Sequence, residues 1–299
     1  MELRQLRHFA AAVEIGNLSA ASEQIYISQP ALSRSIQNLE EELGVQLLER
    51  VSRGVVPTKA GELFYRRAKL ILNESARVKT DVRMVEKGMV GHLKIGVAPI
   101  FARHIIDRAI LNLSAAAPEL SLTVTEGFFE DLVDAVRDGR IDAAFTSFAY
   151  NLHDDDLVVE PLYELSATLG VSKATAEALG PNPAIEDLAK LRWLIVDQPH
   201  AADLLEFFFS ENGIQTPSNA IKTNSIALIQ SLVENGPYVT FLNRHLLERA
   251  PGVALVPLEP PPLPIRRQAG LIYRKASQER PALQPFFSQI RAACAAAKA

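Results

Sequence analysis

Between Ser28 and Gln37 the chain places hydrogen-bonding side chains at spacings that share one face of a helix: Gln29, Ser33, Arg34 and Gln37, with Ser28 and Pro30 at its start. A guanidinium can bond guanine O6 and N7 in bidentate fashion, and a carboxamide can do the same with adenine. That is the chemistry of a helix reading base edges in a major groove. Ser28 reads as the N-cap, and Pro30 falls in the first turn, where a missing N–H costs least. On the opposite side Leu32, Ile36, Leu39 and Leu43 recur at steps of four, three and four, which predicts a buried stripe. Such a stripe alone is common to any amphipathic helix, so its neighbours decide the reading. The segment Asn17-Leu18-Ser19-Ala20-Ala21-Ser22 forms a short preceding helix, with Ala20 and Ala21 small enough for close approach. About four residues separate the two, as a helix-turn-helix requires. Gly44 can take the left-handed position that ends the second helix. Gln46 to Arg50 and Gly54 to Pro57 then flank the tip Val51-Ser52-Arg53, the pattern of a small β wing. Arg50 and Arg53 on that wing would meet phosphates or the minor groove, supplying register and affinity.

A reading head needs a carrier. From Thr58 to about Gly88 only Gly61, near the start, interrupts a helical pattern. Phe64, Ala68, Ile71, Ser75, Val78, Val82, Val85 and Met89 alternate at spacings of four and three, a heptad seam along which two copies can pair. A helix of about 30 residues spans roughly 45 Å. The alternative is an internal helix packed on its own domain. Against it, Arg66, Arg67, Lys69, Arg77, Lys79 and Arg83 cover the other faces and are expected to stay in water.

After Gly88 and Gly91 short apolar runs alternate with helical stretches. Strands are expected at His92–Ala98, Leu120–Glu126 and Asp142–Phe148, with helices at Ala102–Ala116 and Asp131–Arg137, a βαβαβ unit. A second unit follows from about Leu162, with strands near Trp193–Val196, Ala220–Asn224 and Tyr238–Leu242 and helices near Ala202–Asn212 and Ile226–Glu234. A strand at Arg266–Arg274 and a helix at Pro281–Ala297 close the chain.

Composition fits this division. At 299 residues and 48% hydrophobic content the chain can bury two or three cores. Its formal charge is -4, but residues 1–88 hold 13 Lys and Arg against 11 Asp and Glu, leaving 18 against 24 for the rest. The DNA-facing end is thus the mildly basic one, and pairing of two copies is needed to reach useful affinity. No secretory leader pattern and no run of 18 apolar residues is present, so a cytoplasmic protein with no membrane span is expected. Cys294, the lone cysteine, excludes an internal disulfide and a cysteine zinc site. No nucleophile elbow, phosphate loop or His-Glu-x-x-His helix occurs, and six scattered histidines have no ligand spacing. The run Asp154-Asp155-Asp156 reads as a solvated turn. Neither catalytic residues, metal site nor cofactor is expected.

The chain resembles the LysR-type transcriptional regulators. Leu6, Phe9, Ala20-Ala21-Ser22, Ser28-Gln29-Pro30-Ala31-Leu32-Ser33, Leu39-Glu40, Leu43-Gly44, Leu47-Leu48-Glu49-Arg50 and Pro57-Thr58-Lys59-Ala60-Gly61 carry the likeness. Leu48 stands where the family usually has Phe, which keeps the position apolar. The resemblance implies an α/β protein in three parts. Residues 1–58 form a winged helix-turn-helix, 59–90 a linker and dimerisation helix, and 91–299 a two-lobed α/β effector domain like that of periplasmic binding proteins. Lobe I takes 91–161 and 266–299, lobe II 162–265, with crossovers near Glu160-Pro161-Leu162 and Pro264-Ile265-Arg266. It further implies antiparallel pairing of linker helices, through Phe64, Ile71, Val78, Val82 and Val85, in a homodimer or homotetramer.

In open α/β lobes a ligand lies outside the carboxyl ends of the strands. That places a small effector near Ala98, Pro99, Ile100 and Phe101, Phe128, Ser147 and Phe148 in one lobe, and Pro199, His200, Asn224, Ser225 and Asn243 in the other. The phenylalanines could wall an apolar ligand. Family members commonly place a Ser or Thr in the first of these loops to hold an acidic effector; here Ala98 and Ile100 supply no hydroxyl, although Arg103 and His104 stand close by. The resulting expectation is a sequence-specific regulator of transcription, with double-stranded DNA, an effector and RNA polymerase as partners. The alternative is a cytoplasmic solute-binding or assembly module without specific DNA reading.

Overall fold

Helices α1 (Leu3–Ile15), α2 (Leu18–Gln24) and α3 (Gln29–Leu43) precede an antiparallel pair, β1 (Leu48–Val51) and β2 (Gly54–Pro57). The computed structural model describes residues 1–86, 91–149, 154–165, 167–180, 183–243, 255–258 and 267–298. The head folds around Phe9, Ala12, Ala21, Leu32, Ile36, Leu39 and Leu47. Two residues depart from expectation: Leu43 is 39% exposed and Ala20 is exposed. The buried stripe of α3 ends at Leu39, one turn before the helix does, and of the alanine pair only Ala21 meets α3's side of the bundle. Asn17 caps α2 by accepting the Ser19 and Ala20 N–H groups at 2.9 and 3.1 Å. Gly54 pins the wing to α1, since a Cβ there would come within 2.0 Å of the Gly16 carbonyl oxygen, which accepts the Val55 N–H at 2.8 Å.

Helix α4 (Lys59–Glu86) leaves the head as one 28-residue rod. Its first turn is fixed by Thr58, whose hydroxyl accepts the Gly61 N–H at 3.0 Å and donates to the Gln46 carbonyl at 2.8 Å. Phe64 packs edge-to-face on Phe9 at 5.2 Å and is half-buried against the head's own core. Ile71, Val78 and Val82 remain 41, 60 and 57% exposed. The Val85 side chain and Met89 lie outside the described residues.

Lobe I is built on a sheet of order β4-β3-β5-β12-β6, from β3 (Gly91–Val97), β4 (Leu120–Glu126), β5 (Ala143–Ala149), β6 (Leu157–Leu165) and β12 (Arg267–Arg274). Strands β3, β4 and β5 are parallel, while β12 runs antiparallel to β5 and β6. Helices α5 (Asp107–Ala116) and α11 (Leu283–Lys298) cover one face, burying Ile95, Phe145, Phe286 and Phe287 among others, and Cys294 with them. Helix α6 (Phe129–Arg137) covers the other face over Phe148 and Ile272. Lobe II has the sheet order β11-β7-β10-β8-β9, from β7 (Ala167–Ser172), β8 (Arg192–Val196), β9 (Ile221–Thr223), β10 (Tyr238–Asn243) and β11 (Leu255–Leu258). Helices α7 (Lys173–Leu179), α8 (Ile185–Lys190), α9 (Pro199–Ser210) and α10 (Ile226–Asn235) flank it. Trp193 centres that core against Phe208, Phe209 and Phe241, its indole N–H donating to the Leu188 carbonyl at 3.0 Å.

The first crossover lies later in the chain than expected. Glu160-Pro161-Leu162 sits within β6, so lobe I continues to Leu165. Proline is tolerated there because β6 is an edge strand and its pairing with β12 slips at Ala269/Gly270, opposite Tyr163 and Pro161.

Another correction concerns α4, because Arg77, expected in water, is largely withdrawn from it against lobe I, its side chain 14% exposed. Its guanidinium pairs with both oxygens of Asp142, a carboxylate 1% exposed. Asp142 also accepts from Arg280 at 2.7 Å and from the Lys94 N–H at 2.9 Å. Beside it Arg274 donates to the Val136 and Ile141 carbonyls and pairs with Glu74 of α4 at 3.3 Å. A paired, hydrogen-bonded guanidinium can leave water where a lone one cannot.

Candidate nucleic-acid interface and effector rim

Helix α3 is held from behind and left open in front. Leu32, Ile36 and Leu39 anchor it, and the Ser35 hydroxyl meets His8 Nδ1 of α1 at 2.7 Å. Burial, assisted by the Arg4 charge, holds the His8 pKa below its usual value of 6.5, so this contact belongs to the neutral imidazole. At the far end Gly44 adopts φ +70°, and Glu40 Oε1 accepts the Leu47 and Leu48 N–H groups at 2.7 and 3.0 Å, tying helix to wing.

The front of the helix is unspent. Gln29, Pro30, Arg34 and Gln37 are exposed and Ser33 is half-buried. Ser28 occupies the N-cap position without making the expected side-chain cap bond, so its exposed hydroxyl also stays available. Arg50 and Arg53 are exposed on the wing. None of these side chains forms a hydrogen bond or ion pair among the described residues. Sequence reasoning missed Tyr26, which is 94% exposed and holds the left-handed conformation, φ 58°, in the turn leading into α3. A bulky aromatic where Asn or Gly is the easy choice was the available signal.

The effector residues are distributed less simply. In lobe I, Pro99, Ile100, Phe128 and Ser147 are partly exposed along the carboxyl ends of β3, β4 and β5. Phe101 and Phe148 do not wall a ligand: Phe101 lies fully buried against Phe145 at 5.0 Å, and Phe148 is 2% exposed beneath α6. Ala98, 6% exposed, is likewise core. In lobe II, β8, β9 and β10 are parallel and end on one edge, which carries Pro199 and His200 in the first turn of α9, then Asn224, Ser225 and Asn243. Asn224 is exposed, whereas Ser225 spends its hydroxyl capping α10 through the Leu228 N–H at 3.2 Å. The side chains of Pro199, His200, Asn243, Arg103 and His104 lie outside the described residues. Sequence reasoning also missed Arg267, which reaches Ser147 on this rim. Among the described residues no group of three or more His, Cys, Asp or Glu could hold a metal, and no helix is long and apolar enough to cross a membrane.

Comparison with known proteins matches both the head and the C-terminal domain to one family. Residues 3–62 match the family described as bacterial regulatory helix-turn-helix protein, lysR family, and residues 86–295 match the LysR substrate binding domain. The DNA-binding transcriptional dual regulator OxyR of Escherichia coli K12 is 28% identical over 298 residues, covering 98% of this chain and 95% of its own. The HTH-type transcriptional regulator ClcR of Pseudomonas putida is 33% identical over 180 residues, which span 60% of each protein. The solved structure of CbnR, a LysR family transcriptional regulator, shares the fold with a TM-score of 0.63 at 22% identity, over 98% of this chain and 99% of that one. Full-length BenM matches with a TM-score of 0.54 at 26% identity, over 99% and 97% of the two chains.

Proposed function

Because the chain belongs to the LysR family of bacterial helix-turn-helix regulators, we propose that it reads a duplex sequence in the major groove with Gln29, Ser33, Arg34 and Gln37. It is a DNA-binding transcriptional regulator with an effector-binding domain, and the family is one of regulators rather than enzymes. The observation that carries the assignment of residues is the unspent front of α3: donors and acceptors aligned on a braced helix, with no partner among the described residues. Ser28, Pro30, Tyr26, Arg50 and Arg53 place the head against the backbone. Ile71, Val78 and Val82 pair two copies along α4, in a homodimer or homotetramer. The operator is an interrupted palindrome, matched to paired heads.

A small effector sits between the lobes, against Pro99, Ile100, Phe128 and Ser147 on one side and Pro199, His200, Asn224, Ser225 and Asn243 on the other. Closure selects one arrangement of the paired α4 helices, changing the spacing of the heads and the bend of the DNA between half-sites. The clamp of Arg77 and Arg280 on Asp142 supports this route, since it makes α4 move with lobe I. The readout is contact with RNA polymerase in the cytoplasm. The test is a fluorescence titration of the full chain with its own upstream duplex and a scrambled duplex of equal composition, at two salt concentrations. Tighter binding to the native duplex at both salts is expected; equal affinities would remove the reading role and leave only electrostatic attachment.

A further inference from the structure

The seam between α4 and lobe I encloses a cavity of about 180 Å³, lined by Asn73 and Arg77 of α4, His92 and Lys94 of β3, and Gly139 and Arg140 of the turn between α6 and β5. Its charged walls are therefore Arg77, Lys94 and Arg140. Asp142 sets the first two in place: its carboxylate holds Arg77 and accepts the Lys94 N–H at 2.9 Å, while its own N–H donates to the Lys94 carbonyl at 2.7 Å. Gly139, at φ +72°, lets the turn press on α4, since a Cβ there would come within 2.9 Å of Leu70. Asn73 ties the same turn to the helix, its amide donating to the Asp138 carbonyl at 2.6 Å. Arg140 thus faces the same space as Lys94. Behind them Arg280 pairs with Asp142 at 2.7 Å, and burial pushes the Arg274 pKa below its usual value, with the Arg77 and Arg280 charges acting the same way and Glu74 and Asp142 opposing them. Positive charge is crowded at this seam.

We propose that this cavity binds a free tetrahedral oxyanion, inorganic phosphate or sulfate, between Lys94 and Arg140. Its size decides against a larger ligand, because sites that enclose drug-sized molecules run to roughly 300–1,000 Å³. The Lys94 ammonium is a compact point charge, and the Arg140 guanidinium carries five donors, with a long contact of 3.4 Å from Nε to Asp138. Arg77, already spent on Asp142, contributes charge rather than contacts. Because the walls belong to both α4 and lobe I, a bound ion tightens the seam on which the heads are carried. His92 and Lys94 precede the carboxyl end of β3, where the effector rim lies, so the site does not depend on the effector-binding reading.

The test follows the melting temperature of the full-length protein in sodium phosphate and sodium sulfate, with sodium chloride and sodium acetate at matched ionic strength, for wild type, Lys94→Arg and the double variant Lys94→Gln with Arg140→Gln. A ligand selective for the folded form raises the melting temperature. Both substituted side chains are exposed, so the variants are expected to fold. Phosphate or sulfate is expected to stabilise wild type beyond chloride and acetate, the larger response naming the ion. The double variant is expected to weaken that response tenfold or more in apparent affinity, and Lys94→Arg to keep it. Equal responses in wild type and the double variant would reduce the effect to general salt stabilisation and overturn the proposal. So would acetate acting as strongly as phosphate and sulfate, or no response to either at millimolar concentrations. Amide hydrogen exchange locates the ion: slowing is expected at 73–77, 91–95 and 138–142, whereas slowing confined to 28–53 would place it on the DNA-facing head and overturn the site.

Discussion

The reading head and the seam between α4 and lobe I hold the same residue type in opposite conditions. In the head, Arg34, Arg50 and Arg53 stand in solvent with no partner among the described residues. At the seam, Arg77 and Arg274 are nearly withdrawn from water, Arg280 is partly so, and each holds a carboxylate. The spent arginines can only stabilise and transmit, whereas the unspent ones are the groups left for an external polyanion. Removing one from each region is expected to produce separable effects, on stability at the seam and on DNA binding in the head.

The largest effect belongs to the seam. Asp142→Asn removes the buried charge that Arg77 and Arg280 share and is expected to cost about 3–5 kcal/mol of stability, read by denaturant unfolding of the full chain. A loss under about 1 kcal/mol would break the comparison, because the pair would then behave as an exposed one. In the head, Arg34→Ala is expected to leave the melting temperature unchanged while costing about 1–3 kcal/mol in operator affinity and relaxing preference at one base pair per half-site. Arg53→Ala sharpens the distinction within the head itself. It is expected to weaken binding evenly across sequences and to lower the salt slope by about one, as a phosphate contact does.

The smallest effect is a pH dependence. Burial lowers the His8 pKa in the folded head, so the folded state binds the proton less readily than the unfolded chain. Its contribution is complete above the ordinary value of 6.5 and is lost as pH falls from there through the folded value. The drop in melting temperature between pH 7.5 and pH 5.5 is expected to be smaller in His8→Gln than in wild type; identical drops would remove His8 from the account.

How far each region was legible follows from how local its contacts are. The head's stripe, N-cap position and wing lie within 61 residues and obey short periodicities, so Leu32, Ile36, Leu39 and the exposed front of α3 could be read directly. The contact of Phe64 with Phe9 escaped because the two rings belong to different helices, α4 and α1. Burial of Arg77 was invisible because its partner Asp142 lies 65 residues on, and Arg274 meets Glu74 across 200. A cationic side chain gives no local sign that a distant carboxylate awaits it. Phe101 and Phe148 show the limit in the effector domain. The strand ends were located, but which side of the sheet each ring faces depends on α6 and α11, packed from elsewhere in the chain. Pro161 suggested a break in the sheet, and only the edge position of β6 with its slipped register explains why the strand runs through it.

Selection from a randomised duplex pool, performed in parallel with wild type and Arg34→Ala, addresses the front of α3 most directly. Wild type is expected to enrich one interrupted palindrome, and Arg34→Ala the same palindrome with one position per half-site relaxed. Enrichment of no sequence by wild type, or an unchanged preference at every position in Arg34→Ala, would contradict the assignment of that face to base reading.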